Sequence, residues 1–273
     1  MAGSGQFPSL VADGARKAGM RVVICGFHGN TDESLAAQAD EFAMVHLGQL
    51  GKLIDFFKNN GVKRLCMAGA ISKPNALDLK PDFRAAKLIF KLAADKGDDA
   101  ILRAVAEELK SEGISVVRPD TLVPGLNSGA GVLSARSPDA GIWADIRFGW
   151  NIAKTVGQLD IGQCVVVRSG IVAAVEALEG TDAAVARGGQ LGGAGCSLIK
   201  VVKPGQDKRL DLPSIGADTV ELLARHKFVC LAFEAAGTLF FDREHALKTA
   251  DSLGIAVVAV PEDAEAFFER HMK

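Results

Sequence analysis

The first half of the chain alternates short apolar runs with segments in which apolar residues recur every three or four positions. Residues 21–27 (RVVICGF) form a continuous apolar run, which is typical of a buried parallel strand. Residues 48–60 carry apolar residues at helical spacing and end at an Asn-Gly pair. This alternation predicts a layered α/β domain. Further strands are predicted over residues 42–47, 62–68 and 114–117, and further helices over residues 9–19, 83–94 and 98–110.

The pattern changes in the second half. Residues 162–177 contain two strand-like runs joined by Arg168-Ser169-Gly170, which predicts a β-hairpin. Residues 228–241 (FVCLAFEAAGTLFF) read as a strand, a glycine turn and a strand. Other strands are predicted over residues 197–204 and 255–260, and helices over residues 142–159, 218–226 and 243–253.

Residues 119–139 lack periodicity and are rich in Gly, Pro and Ser, which indicates a connection between domains. We therefore predict an α/β protein with two domains. The first, residues 1–135, is a Rossmann-like layered domain. The second, residues 136–273, is a mixed α/β domain with hairpins.

Composition narrows the class of protein. A net charge of −2 and a pI of about 6.2 do not supply the basic face of a sequence-independent nucleic-acid binder. The chain has no apolar stretch near the roughly 20 residues that span a bilayer, and its first residues do not resemble a signal peptide. The five cysteines occur singly, which favours free thiols over a zinc site. We expect a cytoplasmic protein with no nucleic-acid partner.

A glycine-rich turn opens the chain at Gly3, Ser4, Gly5, Gln6 and Phe7, before a predicted helix. Glycines allow close backbone approach, and a helix N-terminus attracts phosphate. A purely structural turn is the alternative, because Pro8 stands where a dinucleotide fingerprint has its third glycine.

Lys73 lies in a loop after a predicted strand, where open α/β sheets bind ligands. In that loop Lys73 would face an anionic ligand. The alternative is a solvent-exposed lysine in a turn.

The densest polar cluster lies in the second half. Lys200 is flanked by apolar strand residues, so it needs a partner or an anionic ligand unless it lies at an exposed strand edge. Thr181, Asp182, Asp218 and Thr219 either serve a site or simply cap helices. Carboxylates suit a hard divalent cation and lysines suit phosphate, a combination that favours metal-assisted phosphoryl chemistry without selecting a substrate. The other members of the cluster are Glu179, Lys203, Asp207 and Asp211.

Three segments in order, LDIGQCVVVRSGIVAAVEALEGTDA, KVVKPGQDKRLDLPSIGADTVELL and FEAAGTLFFDRE, resemble the C-terminal domain of the LpxI family. The opening AGSGQFP, followed by a helix and RVVICGF, resembles the N-terminal domain of that family. The resemblance implies hydrolysis of the pyrophosphate bond of UDP-2,3-diacylglucosamine in the lipid A biosynthesis of Gram-negative bacteria. It implies UMP and 2,3-diacylglucosamine 1-phosphate as products, Mg²⁺ as the cofactor, and a lipid bound between two domains. The essential aspartate of the family matches Asp218 in IGADT.

On this resemblance, the N-terminal domain contacts the nucleotide, and the C-terminal domain is catalytic and binds the lipid. Asp218 is the expected metal ligand and a catalytic residue. Residue type and position in the motifs, and not the resemblance, add Lys200, Glu179 and Asp182 as expected catalytic residues. Water is expected to attack the phosphorus attached to the sugar. The expected partners are a lipid-linked UDP-sugar and, transiently, the inner face of the inner membrane, and a homodimer is one expected assembly. The residues expected to bind substrate are Gly3, Ser4, Gly5, Gln6, Phe7, Lys73, Thr181, Lys203, Gln206 and Thr219.

Other functions stay open at this point. The chain could be a pyrophosphatase for another nucleotide-linked substrate, or a non-catalytic binder of nucleotide-sugar lipids. A nicotinamide-dependent oxidoreductase is disfavoured, because the strand at residues 21–27 ends in GFHG, without the acidic residue that binds ribose.

Overall fold

The computed structural model describes residues 1–71, 81–91, 98–123, 125–210, 212–235 and 237–272. The chain divides into two compact units. Unit 1 comprises residues 1–124 and 207–211, and unit 2 comprises residues 125–206 and 212–273. Both units combine helices with strands, which confirms the predicted α/β class.

Unit 1 is built from short parallel strand pairs and helices. β1 pairs with β2, and β3 pairs with β4. The core lies where helices pack on these strands, around the fully buried Ile54, Phe57 and Leu109. The elements are α1 (Phe7–Lys17), β1 (Val23–Phe27), β2 (Glu41–Val45), α2 (Leu50–Asn59), β3 (Arg64–Leu65), α3 (Phe83–Lys91), α4 (Asp98–Ser111) and β4 (Ser115–Val116), with 3₁₀ turns at Glu33–Gln38 and Pro119–Thr121.

Unit 2 is organised around a mixed sheet that has six strands within the described residues, in the order β5-β12-β10-β8-β6-β7. β8, β10 and β12 run parallel, and β6 runs antiparallel to both β7 and β8. The elements are β5 (Gly131–Val132), α5 (Ala140–Gln158), β6 (Cys164–Arg168), β7 (Ile171–Val175), α6 (Gly180–Gly192), β8 (Ser197–Lys200), β9 (Ser214–Ile215), α7 (Ala217–Arg225), β10 (Cys230–Glu234), β11 (Leu239–Phe240), α8 (Arg243–Leu253), β12 (Ala256–Val260) and α9 (Ala264–His271).

Both faces of this sheet are covered by helices, which explains the continuous apolar strand runs. Alternate residues point to opposite faces. Val165 and Ile199 pack in the cluster that contains Trp143 of α5 and Phe268 of α9, whereas Val166 and Leu198 pack in the cluster with Val220 of α7. Among the described helices, none is both long and apolar enough to cross a membrane.

The predicted hairpin is confirmed. β6 and β7 pair antiparallel, and the turn residues Ser169 and Gly170 have φ values of 50° and 74°. Two positive φ values in succession fit a type I′ turn, whose twist matches that of the strands.

The segment 228–241 contains the two predicted strands, β10 and β11. They do not pair with each other, because β11 pairs with β9. The reason is that β10 already has a neighbour on each edge, β8 and β12. The short strands β5 and β9 and the helix α9 were not predicted.

Candidate functional site

Three buried charged residues lie along one edge of the unit 2 sheet. β7, β8 and β10 run in the same direction, so their carboxyl ends meet at this edge. Glu176 directly follows β7, Lys200 ends β8, and Glu234 ends β10. Each is at most 7% exposed. Because burial of charge is costly, such residues are retained where they have partners or a ligand.

Lys200 is the cation of this edge. Its ammonium Nζ donates a hydrogen bond to the Ser214 carbonyl oxygen at 3.0 Å. Within the described part of the chain it forms no ion pair. One neutral acceptor leaves most of the hydrogen-bonding capacity of an ammonium unused. Lys200 therefore fits an anionic ligand.

Glu176 is occupied by structural hydrogen bonds. Its carboxylate accepts the Gln163 N–H at 3.0 Å and the Thr181 hydroxyl at 2.8 Å. These contacts fix the loop between β7 and α6 against β6. Glu176 thus holds Thr181 and the first turn of α6 in place.

A cavity of about 440 Å³ opens beside Lys200. The first turns of α6 and α7 both contribute to its wall, and helix N-termini carry partial positive charge and free N–H groups. Two helix N-termini and a buried ammonium in one pocket form an arrangement suited to phosphate. The lining residues are Glu179, Gly180, Thr181, Asp182, Lys200, Ser214 and Thr219.

Five of the predicted site residues meet in this pocket: Glu179, Thr181, Asp182, Lys200 and Thr219. Thr219 also caps α7, because its hydroxyl accepts the Gly216 N–H at 3.3 Å. Thr219 therefore both caps α7 and lines the pocket.

The two acidic side chains in the pocket differ. Glu179 is paired with Arg187, and that guanidinium is the main cause that lowers the pKa of the Glu179 carboxyl. Asp182 is exposed in the first turn of α6 and makes no hydrogen bond or ion pair with another described residue. Asp182 is thus the carboxylate of the pocket that is available to a cation.

The oxygen donors of the pocket can be compared with the ligands that Mg²⁺ requires. In the described ranges, no group of three or more His, Cys, Asp or Glu side chains is arranged to hold a metal by itself. Mg²⁺ usually takes one or two carboxylates and completes its coordination with phosphate oxygens and water. Asp182, with Glu179 nearby, fits a magnesium ion that binds jointly with a diphosphate.

Three predicted residues of unit 2 do not line the pocket. Asp218 is exposed in the first turn of α7, next to Thr219. Lys203 pairs with Asp160 at 2.8 Å, and the Gln206 side-chain oxygen accepts the Lys203 N–H at 3.2 Å. In this structure Lys203 and Gln206 stabilise the loop after β8. The roles predicted for all three residues in catalysis or binding stay predictions.

The predicted turn at Gly3, Ser4, Gly5, Gln6 and Phe7 belongs to unit 1. The Ser4 N–H donates to the Ala70 carbonyl oxygen at 2.7 Å, and a Cβ added at Gly3 would lie 2.3 Å from that same oxygen. The glycine at position 3 is thus required by its own neighbouring backbone, whatever it binds. Lys73 lies outside the described residues.

Sequence reasoning missed Glu234 and its partner Lys154. The Glu234 carboxylate accepts the Val202 N–H at 3.0 Å and pairs with the Lys154 ammonium. These contacts hold the chain just after Lys200. A charged residue at the end of the apolar run FVCLAF is the signal that could have found Glu234.

The sequence of the chain can be compared with those of known proteins. The family model described as LpxI C-terminal domain matches residues 129–258, and the model described as LpxI N-terminal domain matches residues 1–126. The chain belongs to the LpxI family. A relative from Caulobacter vibrioides, named UDP-2,3-diacylglucosamine pyrophosphatase LpxI, is 36% identical over 270 residues, which cover 95% of this chain and 96% of the relative. The pocket at Lys200 lies within the LpxI C-terminal match.

Proposed function

We propose that this LpxI family member is a hydrolase that cleaves the pyrophosphate bond of UDP-2,3-diacylglucosamine with Mg²⁺. The products would be UMP and 2,3-diacylglucosamine 1-phosphate. One observation carries the proposal: a buried ammonium, Lys200, lines a pocket whose wall also contains residues from the first turns of two helices, α6 and α7. The activity for which the Caulobacter relative is named supports the choice of substrate.

The charges of the pocket suit a diphosphate. A diphosphate brings at least two negative charges, which the Lys200 ammonium and the N-termini of α6 and α7 would bind. In a partly buried pocket these interactions exceed those made in water, because the effective dielectric constant is lower. The residues would also stabilise the charge that builds on the phosphoryl oxygens during hydrolysis.

The acidic residues of the site would orient a water molecule and bind the cation. The pKa of Glu179 is lowered, so its carboxylate is ionised at neutral pH and accepts but does not donate hydrogen bonds. Such a group can orient a water molecule. Asp182 in the first turn of α6 and Asp218 in the first turn of α7 would hold Mg²⁺, which when bound neutralises phosphate charge.

An apolar residue stands beside the pocket and suits the lipid half of the substrate. Leu178, in the loop before α6, is 94% exposed. We propose that it contacts an acyl chain while the protein works at the inner face of the inner membrane. Cytoplasmic location belongs to the same proposal.

The test is release of UMP from UDP-2,3-diacylglucosamine in detergent micelles, with Mg²⁺ and with a chelator. The expected result is Mg²⁺-dependent release, with much slower cleavage of the water-soluble UDP-N-acetylglucosamine. Equal cleavage of both would indicate a pyrophosphatase for other nucleotide-linked substrates. Binding without UMP release would indicate a non-catalytic binder and overturn the proposal.

A further inference from the structure

Helix α3 of unit 1 exposes two aromatic rings to solvent. Phe83 is 86% exposed and Phe90 is 84% exposed, and Ile89 between them is 49% exposed. Such side chains keep much of their apolar surface in water, and exposed apolar patches mark surfaces that bind a partner or a membrane. The pocket of unit 2 contains no residue of this helix. The exposed rings therefore need an explanation of their own.

The opposite face of α3 is anchored to the rest of unit 1. The Asp82 carboxylate caps the helix by accepting the Ala85 N–H at 2.9 Å, and it also accepts the Gly51 N–H of α2 at 2.7 Å. The Ala85 side chain is buried in the core of the unit. Arg84 forms an ion pair with Glu112, which follows α4. These contacts hold α3 in a fixed orientation, with Phe83 and Phe90 outward.

The outward residues of α3 form an apolar strip beside a basic row. Phe83, Ala86 and Phe90 recur at intervals of three and four positions, so they share one face of the helix. Lys87 and Lys91 lie four positions apart and follow the edge of this strip. Both lysines are exposed, and neither makes a hydrogen bond or an ion pair with another described residue. The nine residues of α3 include three basic side chains and no acidic one.

This pattern is typical of helices that lie in the surface of a lipid bilayer. Aromatic and apolar side chains of such helices enter the boundary between headgroups and acyl chains. The lysine stems lie along the same apolar region, while the ammonium groups reach the phosphates of anionic lipids. Because the Lys87 and Lys91 ammonium groups have no carboxylate partner among the described residues, their charge is complementary to an anionic membrane.

A second copy of the chain or another protein fits this surface less well. α3 is about 13 Å long, and a strip of that length and one helix width is small beside the roughly 800 Å² that each partner buries in a stable protein interface. Lysine is also depleted in such interfaces. A bilayer sets no such minimum, because binding grows with each apolar side chain that enters it and with each lysine near anionic lipid.

We propose that α3 docks the protein on an anionic lipid bilayer, with Phe83 and Phe90 inserted and with Lys87 and Lys91 on lipid phosphates. The proposal rests on α3 and does not depend on the reaction proposed for the pocket of unit 2. Docking would bring a protein with that activity to the surface that holds an acylated substrate.

The first test measures binding of the full chain to vesicles of phosphatidylcholine with one-third phosphatidylglycerol and no substrate. Sedimentation should show saturable binding that weakens with added salt and in vesicles without phosphatidylglycerol. Phe83→Ser combined with Phe90→Ser should weaken binding by about tenfold or more. The matched control is Leu191→Ser combined with Leu253→Ser, which changes two exposed leucines on helices of unit 2 and should bind like the wild type.

Charge reversal tests the basic row separately. Lys87→Glu combined with Lys91→Glu should weaken binding to the anionic vesicles by about tenfold or more. Lys17→Glu combined with Lys248→Glu changes the net charge of the protein equally, at exposed positions of α1 and α8. This control should bind nearly as well as the wild type. Equal losses in both charge variants would show attraction by net charge alone and would overturn the role of α3.

A tryptophan at position 90 reports insertion directly. Phe90→Trp should shift its emission to shorter wavelengths when anionic vesicles are added, whereas Leu253→Trp should not. The native Trp143 and Trp150 are buried in unit 2, so they contribute a constant background. Absence of a shift at position 90 would contradict insertion, even if the serine variants failed to fold.

Two further results would overturn the proposal. One is vesicle binding that is absent, or equal in the wild type and the Phe83 and Phe90 double variant. The other is a double variant that binds vesicles normally but loses UMP release from substrate in detergent micelles, which would assign the rings to the acyl chains of the substrate. UMP release from micelles without vesicle binding would remove docking by α3 and leave the proposed reaction intact.

Discussion

Both units have a glycine close to a helix N-terminus, Gly3 before α1 and Gly180 at the first position of α6, with different results. In unit 1 the space opposite Gly3 is filled by the backbone of Gly69 and Ala70. In unit 2 the turn at Gly180 opens on a pocket that contains the buried Lys200. A glycine thus indicates that something approaches closely, whereas a buried cation with one neutral partner indicates a ligand. The second signal is the better guide to function.

We expect the largest effect from removal of the Lys200 charge. Lys200→Met keeps the length of the side chain but removes its charge. We expect turnover of UDP-2,3-diacylglucosamine to fall by about 100-fold, near 3 kcal/mol of transition-state stabilisation. Rates of UMP release, corrected for folded protein by circular dichroism, measure the effect.

The control for this change is Lys248→Met. Lys248 pairs with Glu244 on the exposed surface of α8, where an ion pair contributes little. Equal losses in the two variants would remove Lys200 from the mechanism.

A second prediction concerns the support of the pocket. Glu176→Ala leaves the Gln163 N–H and the Thr181 hydroxyl without their acceptor, so unfolding free energy should fall by about 2 kcal/mol. Denaturant unfolding measures this free energy. The control is Glu265→Ala, which removes the exposed ion pair with Arg147. Because surface ion pairs contribute little, the control should unfold with a free energy within about 0.5 kcal/mol of the wild type. Equal stability of both variants would contradict a supporting role for Glu176.

The third prediction tests the filled turn of unit 1. An alanine at position 3 would press its Cβ against the Ala70 carbonyl oxygen, and such crowding costs about 1–2 kcal/mol. Gly3→Ala should therefore lower the denaturation midpoint. Gly129→Ala, where no atom lies within 4 Å of the added Cβ, should not. A stable Gly3→Ala variant would show that the turn is open.

The smallest expected effect is a difference in the reactivity of buried thiols between the two units. Burial raises the pKa of Cys25 and of Cys66 to about 11, so thiolate is scarce at pH 8 and increases only as the pH approaches 11. All five cysteines are buried. A maleimide at pH 8 should label native protein slowly, with Cys66 first because at 9% exposure it is the most accessible of the five, and should label all thiols in denaturant. Faster labelling of Cys164 in unit 2 would contradict this order.

Local patterns predicted much of the fold. Arg168-Ser169-Gly170 predicted the hairpin, and the apolar neighbours of Lys200 predicted that it needs a partner or an anionic ligand unless it lies at an exposed strand edge. Strands as short as β9 and β11 carry no readable period, so their pairing was beyond sequence reasoning. The pairing of Lys203 with Asp160 joins residues far apart in the chain and depends on tertiary structure. The same holds for Lys154 and Glu234.

The central claim is that the Lys200 pocket binds a diphosphate. Calorimetric titration with inorganic pyrophosphate, in the presence of Mg²⁺, tests it most directly. The account predicts that the wild type and Lys248→Met bind with the same Kd, and that Lys200→Met binds at least tenfold more weakly. An unchanged Kd in Lys200→Met would contradict it.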